Sequence, residues 1–220
     1  MNEKTGTVFS IAKENQPAAG CTISKEVHRG NNSIFYFSLA ENTDISAEIF
    51  PYHKLILVQD GTLTVYGRHE REEWEAVLNA GEFILTETDA AVGMKTDTGA
   101  VYAETEIRKE DSMNSVIKAG EVFKLAELVP YQDGKIVNMD IVHNRTMKFV
   151  VMAFSEGTGL SEHAAPGEAL VFALDGDGII GYEGKEYPIH AGENFHFAKG
   201  GMHSVTAKGK FKMALLLTLE

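Results

Sequence analysis

Hydrophobic and polar positions change along this chain in short bursts rather than in helical turns. Runs of β-branched, aromatic and aliphatic residues, cut by Gly, Asn or Asp, predict strands over residues 33–39, 62–66, 148–154, 179–182 and 211–218. Two of these runs, Phe149-Val150-Val151-Met152-Ala153-Phe154 and Met213-Ala214-Leu215-Leu216-Leu217, are apolar on both faces. A strand exposed on one side alternates, so these must be covered on both, by the other half of the chain or by a second chain. Glu183-Gly184-Lys185 predicts a tight turn between residues 179–182 and 187–190. Helix signals are short: residues 123–128 ahead of Pro130, and residues 9–12.

The pattern is written twice. Asp60-Gly61 closes one apolar run and Asp175-Gly176 closes another, 115 residues later. The same offset aligns Val27-His28 with Val142-His143 and Ile45-Ser46 with Leu160-Ser161; an offset of 114 aligns Phe9 with Phe123 and Gly20 with Gly134. A repeat of this length is a whole domain, long enough to bury its own core. The polar stretch 108–114 is the natural boundary, giving domains over 1–110 and 111–220. The copies differ at one hairpin tip, where the first carries the longer, charged stretch Arg68-His69-Glu70-Arg71-Glu72-Glu73, read as a solvated surface, with Trp74 over a barrel edge or rim.

Composition narrows the function. In 220 residues, 44% hydrophobic, 21 glycines against 5 prolines favour many short strands. A formal charge of −12 without a Lys/Arg cluster opposes binding to nucleic acid or to an anionic membrane surface. The single cysteine, Cys21, allows no internal disulfide and fits a reducing compartment; no apolar run approaches a membrane span and no signal-peptide core follows Met1, so a cytoplasmic location is expected. No Ser/His/Asp arrangement, phosphate-cradling glycine loop or paired cysteine motif emerges.

The chemistry rests on few residues. The segment His163-Ala164-Ala165-Pro166-Gly167-Glu168-Ala169 running to Gly176, followed by Ala191-Gly192-Glu193 running to His203, resembles the two motifs of the cupin superfamily, with Ala198 where proline is usual. The resemblance covers residues 116–220 and, through the repeat, residues 5–107. It implies an all-β protein of two tandem jelly-roll (double-stranded β-helix) barrels with a few short helices, a bicupin, packed through their outer sheets about an approximate twofold axis. It further implies a facial metal set of two histidines one residue apart, a glutamate and a final histidine. Here only His163 and His203 remain of the four; Ala165 and Ala169 stand at the other two positions, and Glu168 by strand parity faces the other way.

Two imidazoles are a thin shell for one divalent ion (Fe, Mn, Ni or Zn) in the C-terminal domain unless water, Glu168 or His196 completes it. The alanines remove charge and add room, which suits a ligand pocket lined by Ala165, Ala169, Val171, Phe172, His196 and Met202. In the first copy Glu48 stands opposite His163, Phe50 opposite Ala165, His53 opposite Glu168, Lys54 opposite Ala169 and Val92 opposite His203, so that domain reads as structural or regulatory. His53 reads as a strand-end residue, and His28 with His143 as turn-associated. Three readings stay open: a barrel that binds a small molecule, a metal-dependent enzyme of dioxygenase or isomerase type, and a non-catalytic scaffold. A homodimer is expected in addition.

Overall fold

The computed structural model describes residues 1–69 and 72–220, so Glu70 and Arg71 of the charged hairpin tip lie outside the described residues. The first half contains strands β1 (Val8–Phe9), β2 (Thr22–His28), β3 (Ile34–Leu39), β4 (Thr43–Ile49), β5 (His53–His69), β6 (Glu72–Asn79), β7 (Glu82–Leu85), β8 (Ala91–Thr96) and β9 (Ala100–Ile107), with one short helix, α1 (Ile11–Glu14). Then follow β10 (Ser112–Met113), β11 (Val122–Lys124), a 3-10 turn at Leu125–Glu127, β12 (Ile136–His143), β13 (Met147–Phe154), β14 (Gly159–Ala164), β15 (Glu168–Tyr182), β16 (Lys185–His190), β17 (Asn194–Phe197) and β18 (Met202–Thr218). The protein is all-β, as expected, and all strand pairs are antiparallel.

The chain forms two compact units, neither of which is one continuous stretch. The C-terminal unit comprises residues 1–10, 112–114 and 125–220; the N-terminal unit comprises residues 11–111 and 115–124. In the C-terminal unit the sheet runs β1-β17-β15-β18-β13-β12-β10, with β14 on β18 and β16 on β15. In the N-terminal unit it runs β11-β7-β5-β9-β3-β2, with β4 on β8, and β6 and β8 on β5. The aligned residues Phe9 and Phe123 thus do the same work: Val8-Phe9 extends the edge at Phe195 and Asn194, and Val122-Phe123 extends the edge at Ile84 and Phe83.

The Phe123–Leu128 segment, expected to be helical, is half strand and half 3-10 turn. Pairing with β7 and stacking of Phe123 on Phe83, ring centroids 5.4 Å apart, outweigh a helix too short to propagate. The repeated Asp-Gly pairs do not end strands either. Both β5 and β15 run on through them, with register shifts at Val58/Asp60 and Ala173/Asp175 that bend each strand from one sheet partner to the next. Gly61 (φ 76°) and Gly176 (φ 71°) sit at these bends, and a Cβ would stand 2.1 Å from Gly99 O or 1.9 Å from Lys210 O. Only glycine fits. The turn at Glu183 (φ 48°) and Gly184 (φ 74°) closes the β15–β16 hairpin with two left-handed residues, as its sequence predicts.

Each barrel has its own interior. In the C-terminal unit Val150, Met152, Phe154, Ala169, Val171, Ala173, Phe195, Phe197 and Met213 belong to one buried cluster. In the N-terminal unit Leu39, Ile56, Val58, Leu63, Val65, Ile84, Met94 and Tyr102 do the same, with Trp74 partly buried against them. Burying a single Leu, Val or Phe contributes about 1.5–3 kcal/mol, so either cluster holds its barrel.

Candidate functional site

Strands β14 and β18 pair so that His163 stands directly opposite His203 and Ala164 opposite Met202. Cross-strand partners share a face, and the two imidazole centroids are 4.2 Å apart at 50°. His163 is exposed, whereas His203 is 5% exposed and lies against Phe197, ring centroids again 4.2 Å apart. The pair therefore leads from solvent into the barrel wall. Behind His203, Gly201 admits the Tyr182 ring: a Cβ there would be 2.6 Å from it. Ala165 ties the β14 end to the same turn, its N–H donating to Gly201 O at 3.0 Å and its carbonyl accepting from Gly200 N at 2.9 Å.

Each ring is oriented by its own strand. His163 Nδ1 lies 2.8 Å from Ser161 O and His203 Nδ1 lies 3.2 Å from Gly201 O, in both cases the carbonyl two residues earlier. A carbonyl only accepts, so each Nδ1 carries the hydrogen and each Nε2 keeps its lone pair when the ring is neutral. Burial pushes the His203 imidazole below its ordinary range, opposed by the Gly201 bond and helped by the neighbouring His163 ring. At neutral pH the buried ring is uncharged. The site thus presents lone pairs from two neighbouring rings, suited to a hydrogen-bond donor or a metal ion.

The remaining sequence candidates fall on both sides of the wall. Ala165, Ala169 and Val171 lie in the interior cluster of this barrel. Phe172, between Val171 and Ala173, has the opposite parity and meets Phe149 edge-on, centroids 6.5 Å apart. His196 is likewise turned out between the inward Phe195 and Phe197. There it is covered by the N-terminal segment: Thr5 Oγ1 lies 3.2 Å from its Nδ1, and Gly6 N donates to its carbonyl at 3.1 Å. Burial takes its imidazole down to about 4. Met202 is 38% exposed at the rim. Glu168 keeps the outward parity and meets the amino group of Met1.

Among the described residues no group of three or more His, Cys, Asp or Glu is placed to hold a metal ion. The two imidazoles supply too few donors for a resident divalent ion, and the residues present do not fit one by themselves. His190 is occupied by Asp177, 2.6 Å away on the surface hairpin, and His53 Nδ1 lies 2.6 Å from Thr86 O at a strand end. Sequence reasoning did not find Tyr182 and Phe197, the rings that back His203. Their signal was parity: Phe197 shares a face with Phe195, and the β15–β18 register sets Tyr182 opposite His203.

Comparisons with known proteins agree with the fold. The family model described as "Cupin domain" matches residues 150–219. The curated oxalate-binding protein of Thermotoga maritima is 28% identical over 127 residues, covering 57% of this chain and 98% of that protein. Among solved structures, a cupin 2 conserved barrel domain protein from Leptotrichia buccalis superposes with a TM-score of 0.86 at 24% identity, covering 99% of both chains. A variant of Bacillus subtilis oxalate decarboxylase has the same fold at a TM-score of 0.57 and 10% identity, over 99% of this chain and 78% of that one.

Proposed function

Because this chain is a cupin built of two barrels, we propose that it binds a small polar molecule at the C-terminal barrel, through the Nε2 atoms of His163 and His203. The observation that carries the reading is the cross-strand imidazole pair, both rings locked by Nδ1 on backbone carbonyls. The name of the Thermotoga maritima relative supports a small dicarboxylic acid as the ligand class. Two lone pairs repel a bare carboxylate, so such an acid enters as its divalent metal chelate: the imidazoles take two positions, and the acid's oxygens and water take the others. Ala165 and Ala169, on the inner wall of the same barrel, put no competing charge beside the acid. The metal in this reading arrives with the ligand rather than residing in the protein.

Calorimetric titration tests this directly. Oxalate with Mn²⁺ should bind saturably, oxalate alone should not, and His203→Ala should weaken the complex about a hundredfold, equivalent to ~2.8 kcal/mol. Binding of oxalate that ignores both the metal and His203 would remove the reading. Stoichiometric metal retained without any acid, and lost on His163→Ala, would favour a metal-dependent enzyme instead.

A further inference from the structure

The N-terminal barrel carries charge at the positions where the other barrel is apolar. Across β5 and β9, Lys54 faces Glu106, Ile56 faces Glu104 and Val58 faces Tyr102. Ile56, Val58 and Tyr102 are interior residues, so Lys54, Glu104 and Glu106 share their inward face. The corresponding pairs across β15 and β18 are Ala169 with Leu217, Val171 with Leu215 and Ala173 with Met213. Lys54 Nζ lies 3.2 Å from Glu104 Oε1 and 4.0 Å from the centroid of the Phe50 ring, and both charged side chains are buried. A buried ion pair is no more stabilising than apolar residues of the same size, so stability alone gives no reason for it.

Two atoms of this cluster are unsatisfied. Among the described residues, neither Glu104 Oε2 nor the Tyr102 hydroxyl has a hydrogen-bond partner, although Glu104 is 4% and Tyr102 0% exposed. Leaving such groups bare costs about 1–3 kcal/mol each, more for a charge. Burial raises the Glu104 carboxyl despite the Lys54 ammonium beside it, as expected of a carboxylate short of donors. Beside the cluster a cleft of about 340 Å³ opens to solvent, lined in part by Tyr52 and Glu106. Glu106 bonds the Tyr52 hydroxyl, and Glu104 and Glu48 lie close enough to hold that phenol protonated, after the larger effect of burial. The cations at the cleft are engaged: Arg108 Nε donates to Asn31 O at 2.8 Å and Lys109 pairs with Asp89.

Two carboxylates, Glu104 and Glu106, thus share the inward face with one ammonium, with aromatic walls formed by Phe35, Phe37 and Tyr102, the last two stacked at 5.0 Å. No three of the acidic groups are placed for a metal ion. We infer that the N-terminal barrel binds a small primary alkylammonium ion, its N–H groups donated to Glu104 Oε2 and the Tyr102 hydroxyl and its alkyl part against Phe37. The ligand supplies the two missing hydrogen bonds and offsets the excess negative charge. Aromatic faces near a desolvated cation add to the attraction.

The test is isothermal titration of the full chain with n-propylammonium chloride and with 1,4-diaminobutane. One N-terminal site should saturate. Glu104→Gln, checked for folding by circular dichroism, should weaken it about tenfold or more, and Tyr102→Phe several-fold. His203→Ala, in the other barrel, should leave amine binding unchanged. The inference is overturned by failure of both amines to saturate, by equal binding of sodium acetate, by Mn²⁺ occupying the site in place of the amine, or by binding insensitive to both Glu104→Gln and Tyr102→Phe.

Discussion

The two barrels share a frame and differ in where they place their polar side chains. In the C-terminal barrel the polar groups lie at the mouth, where His163 faces His203, and the wall below is Ala169, Leu215 and Leu217. In the N-terminal barrel the mouth pair has become Glu48 facing Val92, and the charge has moved inward to Lys54, Glu104 and Glu106. The same strand registers therefore support a cross-strand imidazole pair in one copy and a desolvated ion pair in the other. The two arrangements ask for different surroundings: an imidazole lone pair needs a neutral ring, whereas a buried carboxylate needs a cation close by.

The sharpest way to break this contrast is to remove one charge. Lys54→Met leaves the Glu104 carboxylate buried and uncompensated, and should lower stability in urea unfolding by about 3–5 kcal/mol. Adding Glu104→Leu should restore most of the loss by making this interior resemble the other one. If the single substitution proves neutral, the ion pair is not held in the dry interior described above.

The shared frame is tested at its bends. Gly61→Ala and Gly176→Ala should each cost about 2–3 kcal/mol, because both force a Cβ onto a carbonyl oxygen in a left-handed conformation. Similar losses would confirm one bend used twice. A large loss in only one barrel would show that the copies turn this corner by different means.

The smallest effect separates the barrels by pH. The folded His196 titrates at about 4, below its ordinary 6.5, so between these values the unfolded chain binds a proton that the folded one refuses. Its contribution is whole above about pH 6.5 and is lost as the pH falls toward 4, by about 2 kcal/mol after allowance for partial solvation. Thermal melts across this range should show the loss, and His196→Phe should flatten it. The contribution belongs to the C-terminal unit, since both His196 and the Thr5 segment over it lie there.

Much of the fold was legible because its signals are local or repeated. Asp-Gly in each copy marked equivalent points of the repeat, and the aligned phenylalanines 9 and 123, read as parts of short helices, proved to lie on equivalent edge strands. Which partner those edges have could not be read, since pairing Phe9 with Asn194 depends on tertiary packing across most of the chain. His163 and His203 drew attention as residues of a known motif, and parity correctly set Glu168 on the outer face. Phe172 and His196 were mistaken for inner residues because β15 and β17 are buried on both faces, which erases the alternation that reveals direction. The Lys54–Glu104 pair was invisible for a different reason: fifty residues separate its members, and each looks like an ordinary surface charge until the register of β5 and β9 turns both inward.

The segment over His196 also sets the order in which the molecule can be completed. Thr5 and His196 stand 191 residues apart in the chain. During synthesis the first strand leaves the ribosome long before the edge that receives it exists, and it must stay unpaired until Asn194 and Phe195 have been made. Closing so long a loop costs chain entropy that the contacts within either interior do not, and until it closes the β17 edge lies open to other chains.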